Sequence, residues 1–212
     1  MLKRLFAVVL ACALLWSGFA LAEGFEFDIS VFEDDPNFEV EFDDMDDTGK
    51  IQFAEDSDMT GMFVGTSEDE DGGVVLGDMS IVITEGLPPV LGIGAYYFAD
   101  DWAFIDEFII IAGSNRYTFE VECEREVLDD GGIVEAFIIA FSDESIGLVE
   151  DIINSEETTF RYRLSGDDDI DGEMLFSKDS VKLLYETYVA SGALENDFSL
   201  VETVCPCEIK SV

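Results

Sequence analysis

Histidine is absent from this chain of 212 residues. That removes the Ser–His and Cys–His nucleophile systems and the histidine-bearing zinc sites in one step. Positive charge is nearly absent too, with 10 Lys and Arg against 49 Asp and Glu, a net charge of −39. A body charged in this way is repelled by nucleic acid and by anionic lipid surfaces, so nucleic acid is excluded as a partner and cations are attracted instead. Cysteines number only four, and after the first twenty or so residues no apolar run reaches the length of a bilayer crossing.

The one long apolar run is at the N-terminus. Lys3 and Arg4 form a positive start, Leu5 to Leu15 an apolar stretch, and Ala20-Leu21-Ala22 a small-residue cleavage motif before Glu23. This pattern predicts a secretion signal over residues 1–22, removed after Ala22, and a secreted or periplasmic location. A minor alternative makes Val9-Leu10-Ala11-Cys12 a poor lipobox with Cys12 as a lipid anchor; the apolar run continuing past Cys12 argues against it. Without residues 1–22, which hold Lys3, Arg4 and no acid, 8 basic residues face 49 acidic ones, a net charge of −41. Three cysteines then remain, and in an oxidising compartment the expected bridge joins Cys123 to Cys205 or Cys207.

With 48% hydrophobic residues and 18 Phe, the rest of the chain has the material for a folded core. Three apolar segments between Trp102 and Phe141 read as an antiparallel meander at the centre of a sheet, with turns at Gly113-Ser114-Asn115 and Asp129-Asp130-Gly131-Gly132. Phe108-Ile109-Ile110-Ile111-Ala112 is continuously apolar, which predicts a strand covered on both faces. Arg116 to Cys123 alternates instead.

Before the meander, residues 23–61 carry short Phe-bearing alternating runs among acids (Phe25–Ile29, Phe38–Phe42, Lys50–Phe53) and read as edge strands. The segment Gly86 to Phe98 opens on Pro88-Pro89 and reads as a cover over one end of the core. After the meander, a short helix is predicted from the Ser142 cap to Asn154. A second has its stripe at Val181, Leu184, Tyr185, Tyr188 and Val189 and stops at Gly192. Phe198 to Val204 reads as a closing strand. The predicted fold class is α+β: mainly antiparallel sheet built of meanders and hairpins, with two short helices packed on it. The predicted division is the signal (1–22), an acidic strand-rich N-terminal portion (23–61), one α+β domain (62–207) and a tail (208–212).

Candidate chemistry is sparse. Asp44-Met45-Asp46-Asp47-Thr48-Gly49-Lys50-Ile51-Gln52-Phe53-Ala54-Glu55 resembles the twelve-position calcium loop of the EF-hand family, with Asp44, Asp46, Thr48 and Glu55 at ligand positions. The resemblance implies Ca2+ as an ion partner. It covers only the loop, since the flanks alternate like strands and show no helical stripe. A weaker echo, Asp167-Asp168-Asp169-Ile170-Asp171-Gly172, offers Asp167, Asp169 and Asp171 but has Lys178 where the bidentate acid belongs. Hairpin turns select the same residues for their own geometry. Arg161 and Arg163 share one face of a predicted strand, a positive spot suited to a carboxylate or phosphate or to cross-strand acids.

The expected function is that of a non-enzymatic, acidic binding or envelope-associated module, with a protein or glycan partner in the envelope and calcium as a candidate stabiliser. One alternative is a carboxylate-based hydrolase acting on cell-wall or extracellular glycan. Another is a structural accessory subunit that adds strands to a partner's sheet.

Overall fold

The computed structural model describes residues 27–43, 48–67, 73–84, 87–129, 131–142 and 145–195. The predicted signal segment, Cys12, Cys205, Cys207 and the predicted closing strand all lie outside them.

The first described element is a helix that follows directly on the alternating run Phe25–Ile29, of which residues 27–29 are described and form no strand. Asp28 accepts hydrogen bonds through Oδ1 from the backbone N–H (3.1 Å) and hydroxyl (2.6 Å) of Ser30, turning the chain into α1 (Ser30–Glu33), which buries Phe32 completely. Two strands follow, β1 (Phe38–Asp43) and β2 (Thr48–Phe53), paired antiparallel. Phe32, Phe38 and Ile51 belong to the same apolar cluster as the sheet beyond them.

Next come β3 (Met62–Ser67), β4 (Val74–Thr84) and β5 (Val90–Ala99). The last corrects the expectation of a cover at residues 86–98. The prolines stop short of the ladder, which begins at Val90, and the Gly and Ala that make the stretch look loop-like are small residues within a buried central strand. The long β4 organises the sheet. One edge pairs with β5 from Val74 to Val82; the other pairs with β3 over its first half and β2 over its second, so the sheet forks there.

The predicted meander divides. β6 (Glu107–Ala112) and β7 (Asn115–Glu120) form a hairpin around Gly113, whose φ of +60° at the first turn position suits the twist of paired strands. The chain then leaves this hairpin. β8 (Glu124–Val127) pairs with β9 (Ile133–Ala140), and β9 pairs with β5, not with β7. After β9 come α2 (Gly147–Asn154), the hairpin β10 (Thr159–Ser165) and β11 (Ile170–Leu175), then α3 (Lys178–Ala190) and a 3-10 turn at Ala193–Glu195.

The strand order is β7-β6-β10-β11-β3-β4-β5-β9-β8, all antiparallel, with β1 and β2 off the fork. Its two ends are consecutive in sequence, separated only by Val121 to Cys123. A sheet whose first and last strands are three residues apart must curl, and this one forms a half-barrel. Phe108 of β6 and Phe137 of β9, six places apart in the order, bring their rings to 5.7 Å across the concave side. That side holds the core. α2 buries Leu148, Val149 and Ile152 against it, and α3 buries Val181, Leu184 and Tyr188, whose hydroxyl donates to the Pro89 carbonyl at 2.9 Å. The described residues are therefore mainly antiparallel β with three short α-helices, one more than the sequence predicts. No helix among the described residues is long and apolar enough to cross a membrane.

Candidate functional site

On β6 the side chains of Phe108, Ile110 and Ala112 point into the core, which leaves Ile109 and Ile111 on the convex face. Ile109 is nonetheless only 6% exposed. Its cover is positively charged. Register sets Arg116 of β7 and Arg161 of β10 directly opposite Ile111 on its two sides, and sets Arg163 opposite Ile109. The aliphatic stems of arginines lie along apolar surface while their guanidinium groups stay in water. A groove of about 310 Å³ opens here, lined among others by Ile109, Ile111, Arg116, Arg161, Arg163 and Asp171.

The three arginines differ in what they hold. Arg163 grips its cross-strand neighbour Asp171 with two parallel bonds, Nε to Oδ1 and Nη2 to Oδ2, both 2.7 Å, and reaches Asp169 with Nη1 at 3.1 Å. The hydrogen bond from Arg163 and its charge hold the Asp171 carboxyl below the usual range, and Asp171 in turn raises the guanidinium. Arg125 binds Glu135. Arg116 and Arg161 have no carboxylate partner among the described residues, nor does Glu173, which stands opposite Arg161 on β11, have a basic one. In a chain with 49 acids, two free guanidinium groups on either side of one isoleucine are unusual. Two strand spacings separate their Cα atoms by about 10 Å, so two extended arginines can meet over Ile111. The sequence points to Arg161 and Arg163 by their alternate spacing; it gives no sign of Arg116, which joins them only through the β6–β7 register.

A second polar centre is structural. Glu135 is fully buried, and its carboxylate accepts the backbone N–H groups of Ala103 (2.8 Å), Phe104 (2.9 Å) and Ile105 (3.1 Å) as well as Arg125 Nε at 2.9 Å. These bonds hold the segment between β5 and β6 in a conformation that puts Phe104 at φ +52°, with the Arg125 guanidinium 5.3 Å from its ring centre. The available signal is a lone acid in the run Ile133 to Phe141, on the same side as Ile133 and Phe137. Nearby, burial pushes the Cys123 thiol up to about 12, with the Glu135 charge adding to the effect and Arg125 opposing it. At neutral pH it is a protonated, weakly nucleophilic thiol. Among the described residues Cys123 is free, and both of its expected partners lie outside them.

Of the remaining predicted residues, those that are described do not converge on one centre. Asp44 and Asp46 lie outside the described residues. Thr48 begins β2 and Glu55 follows its end, so a strand about 17 Å long lies between these two ligand positions. The N-terminal flank of the loop is β1, and its paired strand β2 occupies residues 48–53 of the loop itself. Asp169 and Asp171 turn to Arg163, while the backbone N–H of Asp167 donates to the Ala103 carbonyl at 2.9 Å. Among the described residues no group of three or more Cys, Asp or Glu is placed to hold a metal ion.

Neither the known protein families, nor the curated proteins, nor the solved structures contain a match to this chain.

Proposed function

We propose that this protein is an exported, non-enzymatic binding module that takes an anionic ligand in the convex groove over β7, β6, β10 and β11. The observation that carries this is that Arg116 and Arg161, on either side of Ile111, have no carboxylate partner among the described residues. A free guanidinium fork matches a carboxylate in shape and charge, and the isoleucine floor suits an apolar body attached to it. A volume near 310 Å³ is at the small end of ligand sites, which favours one small molecule or one residue of a larger partner. Export is the reading of Lys3 to Ala22. The non-enzymatic reading rests on the sequence, which holds no histidine to serve a Ser–His or Cys–His pair.

The test uses 4-methylpentanoate, a carboxylate with a branched aliphatic tail, followed by calorimetric titration. Saturable binding is expected, and Arg116→Ala or Arg161→Ala should each weaken it about 10- to 100-fold, the worth of a charge-assisted hydrogen bond. Both residues are exposed, so melting temperatures should stay unchanged, and Lys182→Ala on the exposed side of α3 serves as a charge control. Absence of saturable binding, or equal affinity in the arginine variants, would overturn the reading.

A further inference from the structure

The groove is not a purely positive site. Along the strand order, Arg116, Ile111, Arg161 and Glu173 lie side by side on the convex face, and in the adjacent row Ile109, Arg163 and Asp171 follow one another. Arg161 thus adjoins Glu173, a carboxylate without a basic partner among the described residues, while Arg116 stands three strand spacings, about 14 Å, from it; a second carboxylate, that of Asp171, keeps lone pairs beyond the two bonds to Arg163. Positive and negative charge are offered over a distance of one strand spacing, about 5 Å. Arg161 and Glu173 face each other across the ladder without pairing, and neither has a side-chain partner among the described residues.

Resting on the anion-binding reading of the same groove, we infer that its ligand is a zwitterion with a carboxylate and an ammonium on neighbouring atoms: a small aliphatic amino acid. The carboxylate sits between Arg116 and Arg161, the ammonium turns to Glu173 and Asp171, and the side chain covers Ile109 and Ile111. Whole-molecule charge points the same way. A net anion approaching a chain with 49 acids and 10 bases works against its field, whereas a zwitterion carries no net charge and presents its ammonium to that field favourably. The aliphatic floor, with no exposed aromatic platform in the groove, fits a branched side chain better than a sugar ring.

Three probes of one shape separate the contributions in calorimetric titrations at fixed ionic strength. Leucine carries both charges, 4-methylpentanoate lacks the amine, and 3-methylbutylamine lacks the carboxylate. Leucine should bind at least about tenfold more tightly than either, because each truncation leaves a charged partner unmatched. Glu173→Gln should weaken leucine about fivefold and leave 4-methylpentanoate unchanged or tighter. If 4-methylpentanoate binds as well as leucine and still depends on Arg116 and Arg161, the zwitterion is wrong and the anion site stands. If neither probe binds in a way that depends on those arginines, both fall. Should 3-methylbutylamine match leucine, the binding is that of an acidic surface for any cation, and the inference is overturned. An unchanged leucine affinity in Glu173→Gln would also overturn it.

Discussion

At the scale of single residues, Glu135 has the most defined structural role. Its carboxylate satisfies three successive backbone N–H groups that no strand or helix would otherwise pair, and one guanidinium as well. Replacing it with Gln keeps the shape but turns one acceptor into a donor facing N–H groups. We expect Glu135→Gln to cost about 3 kcal/mol, the scale of a hydrogen-bonded charge made incompatible in a buried site. The check is urea unfolding, with an Arg125→Met variant expected to lose less because Arg125 is partly solvated. A stability unchanged to within a few tenths of a kcal/mol would show that water takes over these bonds. Nothing in the local sequence states this role. A glutamate in an apolar run reads as a wet position on a half-exposed strand until the partner segment, about 30 residues away, is seen to bring its amides.

Among the elements, register decides more than propensity does. The hairpin of β6 and β7 and the stripe of α3 are legible because their determinants are local: a glycine able to take positive φ, and apolar side chains at 3.6-residue spacing. The break between β7 and β8 is not legible, since the alternating run from Arg116 onward continues almost unbroken while its pairing partner changes. The prolines ahead of β5 misdirect for the converse reason: they forbid pairing at their own positions and say nothing about the residues after them. Element packing also gives a testable contact. Phe63 lies opposite Gly77 in the β3–β4 ladder, and a Cβ at Gly77 would stand 1.9 Å from its ring. Gly77→Ala should therefore cost about 1–3 kcal/mol, the usual scale for overpacking. A double-mutant cycle with Phe63→Leu should recover a large share of that cost; additive losses would mean the ring simply moves aside.

For the whole molecule, self-repulsion among the acids adds to chain entropy in opposing the compact state. Raising NaCl from 0.1 to 1 M shortens the screening length from about 10 to about 3 Å, so the melting temperature should rise with salt. Calcium and magnesium at equal millimolar concentration should raise it equally, because Thr48 and Glu55 are separated by the length of β2 and so cannot close on one ion. A markedly larger shift with calcium would establish a specific ion site on the Asp44 loop after all.

From composition and spacing alone, the chain set its charge, the chemistries closed to it for want of histidine, its sheet-rich class and the buried positions Val181, Leu184 and Tyr188 of α3, because each depends on residue type or on neighbours a few positions apart. The curl that joins β7 to β8, the fork at β4 and the placing of Arg116 and Arg161 on either side of Ile111 required the tertiary structure. Each is a pairing between distant segments, and in a strand with a period of two many partners satisfy the same local pattern; only the packing of the common core chooses among them.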